Sequence, residues 1–200
     1  MTYNILPNAL TFDIEEYFQV SAFEDVIERS NWGDWESRVE FSTNRILDLL
    51  DDRDIKATFF TLGIVAEKHP NLIRRIVDGG HELGCHGYEH VRITQQTREE
   101  FKVDIHRAKN ILEDISGSAL DGYRAASFSI NKTNFWAFDE IAEAGFKYSS
   151  SIYPVKHDLY GIPDASRIPF KPVDGISLME IPVSTVRLFG RNFPRSEEHT

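Results

Sequence analysis

Short runs of apolar and β-branched residues alternate along this chain with longer stretches whose apolar positions recur at helical spacing. NALTFDI, residues 8–14, reads as a first strand ending in carboxylates. STNRILDLLDD, residues 42–52, reads as a helix: Ser42 or Thr43 can cap it, and Ile46, Leu47 and Leu50 share a face. KATFFTLG, residues 56–63, is a second strand closed by Gly63. PNLIRRIVDGG, residues 70–80, is a helix with Pro70 in its first turn and Gly79-Gly80 at its end. HELGCHGYEH, residues 81–90, supplies a short strand and its exit loop. The clearest helix is TREEFKVDIHRAKNILEDISG, residues 97–117. Thr97 and Glu100 stand at capping-box spacing, Phe101, Ile105, Ala108, Ile111 and Leu112 line one face, and Gly117 ends it. LDGYRAA (120–126), KYSSSIY (147–153) and LMEIPV (178–183) read as strands, and TNFWAFDEIAEAG (133–145) as a helix stopped by Gly145. Strands alternating with helices imply an α/β fold with a parallel sheet, either a (β/α) barrel or an open doubly wound sheet. In both, chemistry gathers at the carboxyl ends of the strands.

That rule selects residues. Two-residue alternation along the first strand puts Asp13 and Glu15 on one face and Ile14 on the other. Adjacent carboxylates repel unless a cation or a shared proton offsets them. His86 and His90 are four apart, the spacing that sets both rings on one side of a helical turn, and Gly84 and Gly87 around His86 suggest a tight turn entering a short helix. Two imidazoles and one carboxylate make a three-ligand site with room for water, the arrangement of a catalytic metal. His81 sits on the strand without a spacing argument and reads as structural; Cys85 reads as a small buried apolar residue.

Length and composition suit one soluble globular domain: 200 residues, 41% hydrophobic and 27% charged. A net charge of −10 argues against nucleic acid or an anionic membrane as partner and favours a neutral or locally positive substrate. The single cysteine excludes an intramolecular disulfide. Neither a signal-peptide pattern nor a run of transmembrane length is visible, so the expected location is cytoplasmic, without membrane insertion. RSEEHT, residues 195–200, has the reading of a sequencing-adapter scar. The expected domain is therefore 1–194, truncated at its C-terminus, with 195–200 left out of fold reasoning. Oligomeric state is not readable.

LTFDIEEYF, ATFFTLGIVAEKHPNLIRRIVDGGHELGCHGYEH and DGYRAASFSI together resemble the NodB-homology polysaccharide deacetylases, carbohydrate esterase family 4, and in particular the branch that accompanies exosortase-linked exopolysaccharide loci. The resemblance implies a distorted (β/α) barrel with fewer than eight strands and a metal-dependent hydrolase that removes N-acetyl groups from amino-sugar residues of a glycan. Carried onto this sequence, it makes Asp13 the catalytic base, Glu15 the metal carboxylate with Glu16 as fallback, His86 and His90 the metal histidines, and Arg124 the arginine bracing the base. The implied cofactor is one divalent ion, zinc by default, with cobalt, manganese or iron as alternatives. A backbone N–H near Ser127 would help hold the oxyanion, and Tyr17, with Phe18, Trp32 and Trp35, would stack on sugar rings. Phe59, Phe60 and Phe146 are assigned to the core.

The sequence also departs from the family pattern. Ala126 stands where proline is usual, and Ser149, Ser150 and Ser151 stand where a carboxylate orients the arginine, leaving Asp158 as another brace. The family's general-acid histidine lies on a later strand, and His157 does not fit its place. Other readings are weaker. HGYEH fits H-x-x-E-H with Glu89 as base, but that pattern needs a continuous helix. A non-haem iron triad leaves Asp13 and Arg124 without roles. A metal-independent cyclic-amide hydrolase would lack the histidine pair, and a catalytically impaired glycan-binding barrel would keep fold and partial site without turnover.

Overall fold

The structure, a computed structural model, describes residues 9–158 and 160–195. Its centre is a six-stranded, all-parallel sheet in simple sequence order: β1 (Thr11–Ile14), β2 (Thr58–Thr61), β3 (Glu82–Cys85), β4 (Gly122–Tyr123), β5 (Tyr148–Ser149) and β6 (Met179–Glu180). Helices α1 (Val39–Asp51), α2 (Gly63–Lys68), α3 (Pro70–Asp78), α4 (Arg98–Ser116) and α5 (Ala137–Glu143) fill the connections. A separate antiparallel hairpin follows, β7 (Thr185–Leu188) and β8 (Arg191–Pro194).

The sheet is strongly curved. Strands three places apart lie roughly 14 Å apart in a flat sheet, yet the rings of Phe60 on β2 and Tyr148 on β5 meet at 6.4 Å between centroids. The register explains how. Asp13, Phe60 and Gly84 are partners across β1, β2 and β3, and Gly122 and Tyr148 are partners across β4 and β5. A Cβ on Gly84 would run into the Phe60 ring, and one on Gly122 into the Tyr148 ring. The two glycines thus leave the barrel interior to the two aromatic rings. Among the described residues β1 and β6 do not pair, so the barrel is open there. The expected α/β barrel of fewer than eight strands is the fold observed.

Residues of opposite parity face the helices. Ile14, Phe59, Leu83, Cys85 and Tyr123 enter one large core with Leu47 and Leu50 of α1, Leu72, Ile73 and Ile76 of α3, Phe101, Ile105, Ala108 and Leu112 of α4, and Phe138 and Ile141 of α5. The α4 capping box is present: Thr97 Oγ1 accepts from Glu100 N at 3.3 Å and Glu100 Oε2 accepts from Thr97 N at 2.8 Å. Gly117 ends the helix at φ +69°, a conformation glycine enters without strain.

Several expected boundaries move. Helix α1 begins at Val39 rather than at Ser42 or Thr43, because its cap is not local. The Glu16 carboxylate accepts from the N–H groups of Arg38 (2.9 Å) and Val39 (3.2 Å), neutralising the open amides at the helix start. Helix α2 follows directly where only a strand and Gly63 are legible. β4, β5 and β6 are shorter than their apolar runs, each with only two residues in the sheet ladder. Residues 15–38 form a connection with two 3-10 turns, Ser21–Phe23 and Arg29–Asp34. Ser196–Thr200 and the first eight residues lie outside the described residues, so the expectations attached to them stay there.

Candidate metal centre and active site

One residue beyond the register just given, the strands continue in hydrogen bonds from His86 N to Thr61 O, Arg124 N to Cys85 O and Ser150 N to Tyr123 O. This next inward layer carries Glu15, His86, Arg124 and Ser150 at the carboxyl ends of four strands. Alternation along β1 therefore does what the sequence suggests: Ile14 is buried on the helix side while Asp13 and Glu15 share the interior with His86.

Glu15, His86 and His90 each offer one ligand atom, all within 4.8 Å of one another. Glu15 Oε2 lies 2.9 Å from His90 Nε2 and 4.0 Å from His86 Nε2. Ligands about 2.1 Å from a tetrahedral ion sit roughly 3.4 Å apart, inside that range. Two further observations fit a cation. Glu15 Oε2 is buried with His90 Nε2 2.9 Å away, and a buried carboxylate is a costly state unless a cation, either a protonated His90 or a metal ion, meets it. The other nitrogen of His86, Nδ1, is 2.8 Å from the Arg124 carbonyl, so it carries the proton and leaves Nε2 as an acceptor facing the carboxylates. Burial lowers the His86 pKa despite the nearby Asp13 charge, which keeps the ring neutral as a ligand must be. Burial also acts to lower His90, but the charges of Glu15 and Asp13 outweigh it and the net direction is up.

The histidines are not on a helix. Gly87 and His90 both have positive φ, +80° and +55°, and the loop between them is held by Asp104 of α4, whose carboxylate accepts from Tyr88 N at 3.2 and 3.3 Å. Burial pushes Asp104 up to about 6. The expected short helix is replaced by two left-handed turns, and H-x-x-E-H loses the continuous helix it needs. Cys85, buried with its thiol pushed up to about 12, is the inert apolar residue anticipated. His81 is structural: its Nδ1 accepts from Ala57 N at 3.3 Å and its ring meets Phe59 edge-on.

Asp13 stands beside the cluster, Oδ2 at 3.9 Å from His86 Nε2 and Oδ1 accepting from Arg124 Nη1 at 2.7 Å. Burial acts to raise its pKa, but the Arg124 guanidinium, the two histidines and the Arg124 hydrogen bond together hold it below the ordinary carboxylate value. Arg124 itself is buried and lies over the Phe60 ring at 4.1 Å. It also donates to Thr11 Oγ1 (3.0 Å), to the Ser150 carbonyl (3.1 Å) and to Ser150 Oγ (3.0 Å). The brace expected from a carboxylate is thus supplied by serine, and Asp158 is exposed and plays no part. Behind Ser150, the N–H groups of Ser151 and Ile152 both donate to Glu180 Oε1, at 2.9 and 2.8 Å. Glu180 is fully buried, and burial pushes it up to about 7.

Ser127 and Phe128 are consecutive residues with positive φ, +49° and +47°. The Ser127 hydroxyl lies 2.5 Å from that of Ser21, tying the residue 15–38 connection to the arginine loop. Glu24, bonded to Arg92 (2.7 Å) and Gln95 (2.6 Å), ties it to the histidine loop. Tyr17 is half-buried, under the Arg38 guanidinium and edge-on to Trp35, in a cleft of about 320 Å³ that also exposes Asp13 and Glu15. Phe18 and Trp32 are largely withdrawn into a small cluster with Ile27, so stacking on a ligand falls to Tyr17 and the exposed Trp35. Glu16 is committed to α1, which removes it as a fallback ligand. Thr11 and Glu180 carry no motif signal; a strand-end position is the only hint the sequence offers of them. His157 is exposed and stacks face to face on Tyr160 rather than joining the cluster.

The open parallel α/β barrel thus gathers carboxylates, histidines and an arginine at the carboxyl ends of its strands. A family model described as polysaccharide deacetylase matches residues 9–149, and the chain belongs to that family. A second model, a domain of unknown function (DUF3473), matches residues 150–196, and the Arg124–Ser150 bonds cross the boundary between the two. Among curated proteins, the chain is 40% identical over 77 residues to a peptidoglycan-N-acetylglucosamine deacetylase of Bacillus cereus, covering 38% of this chain and 28% of that protein. It is 30% identical over 118 residues to a peptidoglycan deacetylase of Helicobacter pylori, covering 56% of this chain and 38% of that protein. The matches therefore span well under half the length of these relatives. A crystal structure from Mycobacterium smegmatis assigned as a polysaccharide deacetylase superposes with a TM-score of 0.68 at 27% identity, covering 88% of this chain and 58% of the other. No helix among the described residues is long and apolar enough to cross a membrane.

Proposed function

We propose that this chain is a metal-dependent N-deacetylase acting on amino-sugar residues of a polysaccharide or its precursor. The observation that carries the proposal is the convergence of one ligand atom each from Glu15, His86 and His90 within 4.8 Å, beside an Asp13 held ionised by Arg124. The names of the curated relatives support the N-acetylglucosamine chemistry, and the resemblance to the exopolysaccharide-locus branch points to an exopolysaccharide as the polymer.

Glu15, His86 and His90 would hold the ion, zinc by the donor set. A divalent ion there supplies Lewis-acid polarisation of a carbonyl and makes water more acidic. Asp13, kept charged at neutral pH, takes the proton from the water that attacks the acetamide carbon. Arg124 holds Asp13 in place through one hydrogen bond while Ser150 and Phe60 hold Arg124. A backbone N–H near Ser127 would help hold the developing oxyanion. Asp13 then gives that proton to the amide nitrogen as the C–N bond breaks, releasing the free amine and acetic acid, which ionises to acetate. Tyr17, edge-on to Trp35, lines the cleft through which the sugar would reach Asp13.

Metal content and acetate release from N-acetylglucosamine oligomers, measured on the same preparations, test the proposal. His86→Ala is expected to lose both. Asp13→Asn is expected to keep the metal and lose about 10²–10⁴-fold in kcat. A folded wild-type chain that takes up no metal above background would refute it.

A further inference from the structure

The acidic balance of the chain is not uniform. Between the β7–β8 hairpin and residues 155–168 lies a cavity of about 910 Å³. Three side chains around it, Lys156, Arg187 and Arg191, have no ion-pair or hydrogen-bond partner among the described residues. A fourth cation, Arg167, spends its Nε and Nη2 on the Thr185 hydroxyl (2.8 Å) and carbonyl (2.6 Å), fastening the hairpin to the cavity wall. The acid on the lining, Asp164, is neutralised by Lys132 at 2.8 Å. In a chain with 32 Asp and Glu against 22 Lys and Arg, three bare cations around one cavity do not reflect a shortage of acids to pair with. Elsewhere some cations are paired, as at Arg38–Glu36, Arg75–Asp48 and Arg98–Glu140, and others such as Arg45 and Lys68 stand without an ion pair among the described residues, one at a time; what distinguishes the cavity is that three gather on one lining.

The hairpin tip adds a second feature. Leu188 pairs with Arg191, so Phe189-Gly190 is a two-residue turn, and both residues have positive φ, +49° and +77°. Turns of this geometry favour Asn-Gly, and a bulky ring there is strained. Phe189 is nonetheless fully exposed, at 101% relative accessibility, between Arg187 and Arg191 in sequence. Phe189 stands at the hairpin tip, off the cavity lining itself, and an open aromatic face at the edge of a cationic cavity is chemistry that suits a sugar bearing an anionic group: the ring offers a face to the C–H side and the cations meet the charge. The cavity also adjoins the site described above. Val155 on its wall packs with Phe128 and Tyr153, and Phe128 directly follows Ser127.

We propose that this cleft binds an anionic stretch of the glycan chain whose acetamido group is presented to the metal centre. The choice of a glycan as occupant rests on the proposed deacetylation; the binding of an anion does not. Calorimetric titration of the full chain with a galacturonate hexamer, a neutral N-acetylglucosamine hexamer and phosphatidylglycerol vesicles tests it without any turnover. In the double variant Arg187→Ala/Arg191→Ala the uronate affinity should fall about tenfold and its salt dependence should flatten, with the neutral hexamer unaffected. Phe189→Ala should weaken the uronate about threefold without changing the salt slope, and Lys156→Ala, outside the hairpin, about threefold with a shallower slope. Uronate affinity unchanged in these variants, or arginine-dependent binding seen only with vesicles, overturns the proposal. Arginine-dependent uronate binding by a chain that releases no acetate would support the cleft while removing the deacetylation.

Discussion

Asp13 and Glu180 sit on the first and last strands of the same sheet, both removed from much of the solvent, and they titrate in opposite directions. Burial acts to raise both. At Asp13 a guanidinium 2.7 Å away, with two imidazoles, overcomes it and holds the carboxyl ionised. At Glu180 two backbone N–H groups share one oxygen, the other oxygen has no hydrogen bond, and Arg124 acts only from a distance, so the value stays near 7. Burial alone does not decide a carboxylate's charge; a bonded cation does. The consequences for stability have opposite sign. Asp13 contributes stability above its ordinary value of 3.8, and that contribution is lost as pH falls through its lower folded value. Glu180 favours the folded state in its protonated form, fully below its ordinary 4.5, and loses this as pH rises through about 7.

Removing the cation should erase the contrast. Arg124→Met leaves Asp13 facing Glu15 without a counter-charge, and urea unfolding at pH 7 should show a loss of about 3–5 kcal/mol. A loss below 1 kcal/mol would mean that Arg124 does not set the charge of the site. Glu180→Gln should remove the pH-dependent penalty on the other side. Relative to wild type, its stability should improve between pH 5 and pH 8 by on the order of 3 kcal/mol. Parallel Tm–pH curves for the two proteins would show that Glu180 does not titrate in this interval. Ser150→Ala takes away one of the hydrogen bonds that hold Arg124 and leaves the others. It should lower stability by about 1–2 kcal/mol with metal content unchanged, read by unfolding and metal analysis together.

The contrast also marks what could be read from the chain. Asp13, Glu15, His86, His90 and Arg124 were legible because strand alternation and strand ends locate them, and their neighbours in sequence carry the family's blocks. Thr97, Glu100 and Gly117 were legible because helix capping is local. Glu16 was not, since it caps a helix that begins 23 residues later in sequence. Glu180 was not either: the pairing of β5 with β6 sets it against the Ser151 and Ile152 N–H groups, and nothing within its short strand announces it. Ser150 was legible only as one of three serines standing in the place of the brace. The histidine pair shows the opposite failure: spacing suggested a helical turn, and two left-handed residues deliver the same convergence without one.

The meeting of Phe60 and Tyr148 across the barrel, made room for by Gly84 and Gly122, stoppers the interior beneath the ligand layer. The site is then a shallow well with a solid bottom, served from the rim at the strand carboxyl ends. Under the proposed function, a long polymer would lie across the mouth rather than thread the barrel. Only a short pendant arm would then reach down to Glu15 and the histidines, so the depth of the well would act as a ruler for the group removed.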